Sequence, residues 1–568
     1  MTHLEEMVVL QDREAERILR SQVVGGRENG AFAEADGNID TRRNGFMLAH
    51  LAVSYLTPQS RFFHDPRVRT VLEGSFAYLL SHQRPGGCLD LTGCNFASAP
   101  DTAFTINAVM NAWWLLEKDG SEDCAWMKAP MRRLIETCSE GIMTGGFHTP
   151  NHRWAISACL KHAAKICGRP DFSAKADVYL GEGLDINEDG EFAERSAGNY
   201  NQVNDDQMIR LYLAMGDETF LQAARSNLMM MLAYIDPDGS VFTNNSTRQD
   251  YGKKVYLDSY YILFLLTGYL LKDEKLAAYS EYCWQTAAAH GRTPRGAEWL
   301  ALYPELEAWG KRVAPDLAPI ENYRHIFPSS SIARFRAGDL SCTLMAGRPN
   351  FFYFQHGENT IYLVIYGNVC EKRNFVPTSL EETEKGFRVS ARMDSWYYLP
   401  FDGDGPATTD WWAMDNANTR EKLISDSLTI TVEAELKENG VDLRVAAQGL
   451  THVPIRLEWG MMPGCELRGD SFLLDTVPGG SMTVSGGALQ IRNPADEMVT
   501  LAPAFAEHRV MNRMGGAYPL SGEHFTAFFT AYSPFEKVIR IGTAPLFDRL
   551  MYGGLSDRPP TPPSGDKD

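Results

Sequence analysis

Two short polar stretches in the first half of the chain carry the side chains best suited to chemistry. Both place amide, imidazole, guanidinium, carboxylate or phenol groups beside a segment predicted to be helical. These side chains are Asn151, His152, Arg153, Glu194, Arg195, Tyr200 and Asn201. Groups of these types can grip a carboxylated sugar and move protons at its glycosidic bond. We therefore expect both stretches to line one pocket for a carbohydrate that contains uronic acid.

The first stretch follows a Gly145-Gly146 loop and leads into an apolar helical pattern. Asn151 is the expected N-cap of that helix. The free amides and the dipole of a helix N-terminus favour an anion, so Asn151, His152 and Arg153 would suit a uronate carboxylate. The ordinary alternative is that Asn151 only caps the helix and His152 only packs.

The second stretch precedes a helix predicted to begin near Asp206. Glu194 beside Arg195 is commonly a structural ion pair. Tyr200 stands between two asparagines, Asn199 and Asn201, which are poor neighbours for a core residue. A binding or proton-transfer role for Tyr200 explains this arrangement better than packing does.

Three further clusters contribute candidates. Asp101 stands where an N-cap is wanted before a helix near Thr102, and capping alone would explain it. Arg248 and Asp250 precede another apolar helix. His356 interrupts two apolar strands, either as a hydrogen-bonded turn histidine or as a residue that reaches the pocket. The acidic run from Asp185 to Glu191 lacks the spacing of an EF-hand, which favours a solvated turn or β-ribbon.

Composition narrows the function classes. The chain has 568 residues, 44% hydrophobic and 22% charged, and a formal net charge of −19. The charge argues against nucleic acid as a partner, and no apolar run approaches membrane-spanning length. The N-terminus lacks a secretion signal and the 10 cysteines lack paired spacing, so we expect a cytoplasmic protein. Phosphate-binding, dinucleotide and metal-binding motifs are missing, so we expect no metal and no cofactor.

The chain changes character near Pro328. Before it, helix-length apolar segments alternate with Gly, Pro, Asn and Asp clusters, which predicts a helical toroid over residues 1–325. The clearest predicted helices are Gly45–Tyr55, Val68–Ser81, Thr102–Lys118, Arg153–Cys167, Asp206–Met215, Thr219–Tyr234, Leu257–Leu271 and Lys275–Ala289.

Short alternating strands follow, with turn signals such as Asn439-Gly440 between them. They predict an antiparallel β-sandwich over residues 326–545 and a loose Pro-rich tail over 546–568. The clearest predicted strands are Ser331–Phe335, Cys342–Ala346, Thr360–Tyr366, Gly386–Ala391, Leu428–Glu433, Val441–Ala446 and Ile455–Trp459.

A helical toroid followed by a β-sandwich resembles the heparinase II/III-like polysaccharide lyases. Those enzymes place an Asn, sometimes followed by His, on one toroid loop, a Tyr further along and a His from the sandwich. Asn151-His152, Tyr200 and His356 match that order. The metal-binding histidine cluster of that family is not evident around His356, which is followed by Gly-Glu-Asn.

Several strings are more specifically similar to a bacterial group of exo-acting β-glucuronidases, glycoside hydrolase family 154. They are Pro100–Phe104, Thr149–Trp154, Glu194–Ser196 and Arg248–Asp250. The resemblance implies an (α/α)6-type toroid that carries the active site and a terminal β-linked glucuronic acid as the group removed. It implies no settled catalytic residues.

Three functions follow as alternatives. A hydrolase would use Asp101, Glu194 or Asp250 as acid and base, with Tyr200 assisting. The uronate would be held by Asn151, His152, Arg153, Arg195, Asn201, Arg248 and His356. A lyase would eliminate across the uronate with Tyr200 or His152 as base. The third alternative is a carbohydrate-binding protein without catalytic activity. The expected partner is a uronic-acid oligosaccharide, and pairing into a homodimer stays open.

Overall fold

The computed structural model divides into two compact units. Its described residues are 1–294, 296, 299–310, 318–403, 405, 407–415 and 420–543. The first unit comprises Met1–Ile235 and Gly239–Ile320, and the second comprises Asp236–Asp238 and the residues from Glu321 onwards. The boundary lies close to the one predicted after residue 325. The predicted tail, 546–568, falls outside the described residues.

The first unit is built from α-helices, with short strand pairs in its loops. The helices are α1 (His3–Arg20), α2 (Thr41–Leu56), α3 (Pro66–His82), α4 (Ala99–Asp119), α5 (Lys128–Thr144), α6 (Pro150–Cys167), α7 (Pro170–Leu180), α8 (Tyr200–Met215), α9 (Glu218–Leu232), α10 (Tyr260–Leu271), α11 (Glu274–Ala289), α12 (Tyr303–Gly310) and α13 (Ala318–Glu321). The strands are β1 (Leu89–Leu91), β2 (Asn95–Ser98), β3 (Ser240–Val241) and β4 (Val255–Tyr256). Every helix predicted from the sequence overlaps one of these helices.

Side-chain caps and glycines set the ends of these helices. Asp40, Asp65 and Asp217 each accept a hydrogen bond from a backbone amide in the first turn of α2, α3 and α9. These bonds satisfy amides that have no partner within the helix. Gly168 and Gly216 end α6 and α8 in the left-handed conformation that glycine adopts without strain.

The helices of the first unit form a closed ring. Neighbour contacts run from α2 through α4, α6, α8 and α10 to α12, and α12 contacts α1, which returns to α2. A second helix packs outside each of α2, α4, α6, α8 and α10, namely α3, α5, α7, α9 and α11. The toroid predicted from the alternation of helices and loops is therefore confirmed.

The inner helices α2, α4, α6 and α8 run parallel, with their N-termini at one end of the ring. Asp101 Oδ1 lies 3.5 Å from Arg42 Nε, which joins the starts of α4 and α2. Asn107 Nδ2 donates to Gln207 Oε1 at 2.9 Å, about two turns into α4 and α8. Gly45 allows the close approach of α2 and α4, because a Cβ there would lie 2.2 Å from Thr105 Cγ2. Residues at equal depth in these helices therefore face each other across the ring.

The second unit is a β-sandwich. Its strands are β5 (Asn322–Phe327), β6 (Ile332–Ala337), β7 (Leu340–Met345), β8 (Phe352–His356), β9 (Asn359–Val369), β10 (Lys372–Asn374), β11 (Ser379–Thr383), β12 (Gly386–Tyr398), β13 (Lys422–Lys437), β14 (Gly440–Gly449), β15 (Pro454–Met461), β16 (Glu466–Gly469), β17 (Phe472–Asp475), β18 (Ser481–Thr483), β19 (Leu489–Arg492), β20 (Met498–Ala502), β21 (Phe525–Tyr532) and β22 (Phe535–Gly542). One sheet has the order β18-β21-β15-β9-β8-β7-β6-β5, with β10 also on β9, and the other has the order β11-β12-β13-β14-β22-β20-β19-β16-β17.

Alternation of apolar residues builds the sandwich core. From Leu428 onwards in β13, and along most of β14, every second residue is buried, for example Leu428, Ile430, Leu443 and Val445. These side chains join residues of the other sheet, such as Trp459, in one apolar core. The strands pair antiparallel, except that β18 runs parallel to β21, so the predicted antiparallel sandwich is confirmed apart from this pair.

Within the described residues, no helix combines the length and the apolar character needed to cross a bilayer.

Candidate active site

A cavity of about 1070 Å³ lies within the helical ring. The inner helices contribute its polar lining at two depths. On or next to their first turns lie Arg42, Asp101, Asn151, His152 and Tyr200. Two to three turns further on lie His50, Asn107, Asn111, Asp206, Gln207 and Arg210. We name these sets the first-turn half and the third-turn half of the cavity. The structure thus places Asp101, Asn151, His152 and Tyr200 on one cavity. The other predicted catalytic residues, Glu194 and Asp250, are not among its lining residues.

The starts of the inner helices explain the first-turn half. Ser98, Thr149 and Asn199 are the N-caps of α4, α6 and α8. Backbone amides without helical partners and the positive ends of several parallel dipoles therefore meet at one end of the cavity. This field favours a bound anion such as a carboxylate.

Asp101 is held by donors on three sides. Ser98 Oγ donates to Asp101 Oδ2 at 2.6 Å, and Asn95 Nδ2 donates to the same oxygen at 3.2 Å. Arg42 Nε lies 3.5 Å from Oδ1. The predicted capping role was wrong, because Ser98 is the cap and Asp101 lies on the first turn of α4. The carboxylate is free of that role and lines the cavity.

His152 is a neutral imidazole beside Asp101. Burial lowers the pKa of His152, while the negative charge of Asp101 raises it by less. Its ring contacts the edge of Phe104, with the ring centres 6.2 Å apart. Nδ1 makes no hydrogen bond to any residue that the structure describes. As a neutral imidazole on the cavity lining, His152 has one ring nitrogen that can accept a proton or a hydrogen bond.

Tyr200 and Arg248 form a second contact pair at this end. The Arg248 guanidinium carbon lies 4.8 Å from the centre of the Tyr200 ring. The Tyr200 hydroxyl is the main reason that the pKa of Arg248 is raised. The cation placed on Tyr200 would stabilise a negatively charged ligand next to it.

Glu194 is a buried carboxyl group behind this pair. Its side chain is 5% exposed, its two carboxyl oxygens are buried, and it is not among the residues that line the cavity. Arg248 Nε lies 3.7 Å from Glu194 Oε1. Burial raises the pKa of Glu194, against smaller lowering effects of Arg248, Asn204 and the backbone amide of Asn151. A carboxyl group in such surroundings keeps its proton to higher pH and can act as an acid.

Asp250 holds the loops around the site and does not line the cavity. It accepts hydrogen bonds from Ser196 Oγ at 2.8 Å, the Gly198 amide at 2.9 Å and Ser246 Oγ at 2.6 Å. Ser196 Oγ in turn accepts the Tyr200 amide at 3.0 Å. With three donors on its two oxygens, Asp250 positions the Tyr200 and Arg248 segments.

We expect Asp250→Ala to destabilise the protein by about 5 kcal/mol, because a hydrogen bond to a charged group contributes at least about 1.5 kcal/mol and three donors lose their acceptor. Urea unfolding measures the change. The matched control is Asp217→Ala, which removes only the cap of α9 and should cost about 1 kcal/mol. Equal losses for the two variants would contradict the positioning role.

Five predicted binding residues lie outside the cavity lining, namely Arg153, Arg195, Asn201, Arg248 and His356. Arg153 donates to Glu182 Oε2 at 2.7 Å and to the Gly183 carbonyl at 2.8 Å, and it also pairs with Asp185. Arg195 pairs with Glu191, 3.4 Å from Nε to Oε2, and Asn201 Nδ2 contacts the sulfur of Met231 at 3.4 Å. These contacts hold the loops and helices in place.

His356 ends β8 in the second unit. Its Nδ1 hydrogen-bonds the Met498 carbonyl at 2.9 Å, which fixes the ring within the sandwich. This contact matches the turn-histidine alternative.

Sequence reasoning missed Arg42 and the whole third-turn half. Arg42 follows the capping residue Asp40 at the start of α2, and this polar pattern at a helix start is the signal that identified Asp101 and Asn151. The third-turn residues carry no such local signal.

Among the described residues, one group has donor atoms close enough to hold a metal: His64, Asp119 and Cys124, within 4.8 Å of one another and outside the cavity.

Comparison with known proteins identifies the fold. No family model and no curated protein matches the sequence. The Paenibacillus xanthan lyase structure matches with a TM-score of 0.56 and 8% identity over 98% of this chain. The Streptomyces coelicolor A3 chondroitin AC lyase, in complex with chondroitin sulphate, matches with a TM-score of 0.55 and 10% identity over 97% of this chain. The Pedobacter heparinus heparan sulfate lyase matches with a TM-score of 0.53 and 9% identity over 94% of this chain.

The chain has the fold of these polysaccharide lyases. It spans 58% of the xanthan lyase, 81% of the chondroitin lyase and 83% of the heparan sulfate lyase. At such low identity the likeness concerns the arrangement of helices and strands, so the chemistry has to be argued from the residues of this chain.

Proposed function

We propose that the protein is a carbohydrate-active enzyme that hydrolyses the bond of a terminal β-linked glucuronic acid. The observation that carries this proposal is the meeting of Asp101, Asn151, His152 and Tyr200 at one end of a single cavity. The fold shared with lyases of xanthan, chondroitin and heparan sulfate supports a substrate that contains uronic acid.

The uronate carboxylate would lie against the helix starts of the first-turn half. Asn151 can offer an amide there, and Arg42 and Arg248 supply positive charge close by. The protein as a whole carries a net charge of −19. These local cations matter because charges within a few ångströms outweigh more distant ones that salt screens.

The proton roles follow from the surroundings of the two carboxyl groups. Glu194, which keeps its proton through burial and lies next to Arg248 outside the cavity lining, would supply the proton for the glycosidic oxygen as the bond to the anomeric carbon breaks. Asp101 would accept a proton from the water that attacks that carbon. Tyr200 would donate a hydrogen bond to a sugar hydroxyl. The products are glucuronic acid and the alcohol of the leaving group.

Release of glucuronate tests the proposal. The protein is incubated with p-nitrophenyl β-glucuronide and with β-glucuronosyl oligosaccharides, and free glucuronate is measured. p-Nitrophenyl β-glucoside, which lacks the carboxylate, is the control and should react at least about tenfold more slowly if an ionic contact to the uronate is lost. Absence of glucuronate from every glucuronide contradicts hydrolysis.

A second candidate is β-elimination, in which a base removes the proton next to the uronate carboxylate. The polysaccharide lyase fold favours it, as does the placement of neutral His152 and of Tyr200 next to cationic Arg248. The product is an unsaturated uronate, recognised by new ultraviolet absorbance. If the protein only binds glucuronides, neither product forms.

Tyr200→Phe separates the two reactions. In hydrolysis we expect kcat/KM to fall about tenfold, the loss of one hydrogen bond to the sugar. In elimination Tyr200 transfers a proton, and we expect a loss of about 10²–10⁴-fold. The matched control is Tyr212→Phe on the same helix and outside the cavity lining, which should leave kcat/KM within about twofold of wild type. A Tyr200→Phe enzyme as active as the control contradicts both roles.

A further inference from the structure

The cavity is longer than the first-turn half. Asn111 lies ten residues after Asp101 in α4, and Arg210 lies ten residues after Tyr200 in α8. An α-helix rises about 1.5 Å per residue, so the lining extends about 15 Å along the inner helices. One uronate at the helix starts leaves the third-turn half unfilled.

His50 presents a hydrogen-bond acceptor to this half. Gln11 Nε2 donates to the His50 carbonyl at 2.7 Å, which fixes the orientation of the Gln11 amide. Gln11 Oε1 then lies 3.3 Å from His50 Nδ1, and Nδ1 must be the donor because the amide oxygen carries no hydrogen. Burial also lowers the pKa of His50. Nε2 therefore has a free lone pair, and it has no hydrogen-bond partner among the described residues.

Arg210 presents a donor from the opposite side. Its Nε donates to Asp206 Oδ2 at 2.7 Å, and Nη1 donates to the Asn107 carbonyl and to Asn111 Oδ1, both at 3.0 Å. Nη2 has no hydrogen-bond partner in the part of the chain that the structure describes. The guanidinium carbon lies 4.6 Å from the centre of the Trp299 ring. Because Asp206 neutralises Arg210, this half suits a neutral ligand better than a second anion.

An aliphatic wall completes the third-turn half. It is formed by Leu10, Ala49, Val53, Ile262 and Leu263. Glu14, which also lines the cavity, is paired with Arg17 through bonds of 2.9 and 2.6 Å. A pyranose ring offers hydroxyls on its rim and an apolar face of C–H groups, and both complement this lining.

We propose that the third-turn half is a subsite for a neutral hexose ring joined to the uronate in the first-turn half. The proposal rests on the proposed function, since it takes the uronate to bind at the helix starts. It makes a glucuronosyl hexose the preferred substrate class, ahead of simple alkyl or aryl glucuronides.

Binding of sulfur-linked glucuronides, which resist cleavage, tests the subsite in the full-length protein. The ligands are the methyl and phenyl thio-β-glucuronides and the thio-linked disaccharide of glucuronic acid and glucose, measured by calorimetry. We expect the disaccharide to bind at least tenfold more tightly than either of the others. Equal affinities, or a phenyl ligand as tight as the disaccharide, overturn the subsite.

Variants of His50 test whether this residue supplies the extra affinity for the disaccharide. His50→Leu should reduce the preference for the disaccharide over the methyl ligand to about twofold or less, and His50→Gln, which retains an acceptor, should restore part of it. His82→Leu, on the outer helix α3, is the matched control and should keep the full preference. A preference that survives His50→Leu overturns the assignment of His50. Failure of all three ligands to bind contradicts the proposed function, whereas binding without a gain from the hexose contradicts the subsite alone.

Discussion

Replacing Glu194 with glutamine is expected to lower kcat about 10³-fold, because glutamine cannot give a proton to the departing glycosidic oxygen. General acid catalysis contributes about 10²–10⁴-fold to enzymatic rates. Glutamine has nearly the same shape as glutamate, so the surrounding side chains should stay in place and KM should change little. Steady-state kinetics with p-nitrophenyl β-glucuronide and with an unactivated oligosaccharide measure the effect. The kcat for the oligosaccharide should fall further than the kcat for p-nitrophenyl β-glucuronide, because the departure of a sugar alcohol depends more strongly on protonation.

The pH dependence of the same variant provides a second readout. Burial raises the pKa of Glu194 above its ordinary value of 4.5, and the acid acts only while protonated. Wild-type activity should therefore decline as pH rises through this raised pKa, and that limb should disappear in Glu194→Gln. Between pH 4.5 and the raised pKa, the folded state holds a proton that the unfolded state has lost, so stability falls as pH rises. Urea unfolding of the variant should lack this fall.

Glu191→Gln is the matched control for Glu194→Gln. Glu191 is similarly buried in the same loop, but it accepts hydrogen bonds from Tyr234 at 3.1 Å and Asn245 at 2.8 Å. Its replacement should leave the alkaline limb of the activity profile in place. An alkaline limb that persists in Glu194→Gln would show that another group supplies the proton.

Asp101→Asn is expected to lower kcat/KM about 10³-fold, because an amide cannot take a proton from the attacking water. The amide oxygen can still accept from Ser98 Oγ, which holds Asp101 Oδ2 at 2.6 Å, so the start of α4 should stay folded. The expected result is thus a loss of activity with an unfolding midpoint close to that of wild type. Activity assays and urea unfolding on the same preparation measure both.

The control for Asp101→Asn is Asp258→Asn. Asp258 is similarly buried, pairs with Arg292 at 2.9 Å and does not line the cavity. The Asp258→Asn variant should be less stable than wild type and keep its activity. The Asp101→Asn variant should instead keep its stability and lose its activity. An active Asp101→Asn enzyme would remove Asp101 from the reaction and leave His152 as the base.

Periodicity predicted the architecture well, because both units depend on repeated apolar positions. The alternation that buries Leu443 and Val445 is readable in β14, and helical spacing is readable in most of the toroid. The first residues of the helices were predicted less accurately. Asp101 and Asn151 were assigned as N-caps, but Ser98 and Thr149 hold those positions, with a proline directly after each or one residue on. Proline in the first turn marks these starts more surely than the acidic or amide residue does.

The roles of the polar residues could not be read with the same success. The starts of the inner helices are recognisable in the sequence, and they lie together at one end of the ring. For this reason the sequence could identify Asp101, Asn151, His152 and Tyr200. Arg153 adjoins two of them in sequence, but one residue turns a helix by about 100°, so it points to a different side. The third-turn residues are spread over α2, α4 and α8 and meet only through the closure of the ring, which no local pattern records.

The placement of the proposed reacting groups on helix starts has a consequence for how such a protein can change over evolutionary time. The ring is held together by apolar side chains along the helices, whereas Arg42, Asp101, His152 and Tyr200 sit at their ends. Single exchanges at these few positions can alter which sugar is attacked, and by which reaction, while the scaffold keeps its fold. The same ring of helices can thus carry either of the two proposed reactions without being rebuilt.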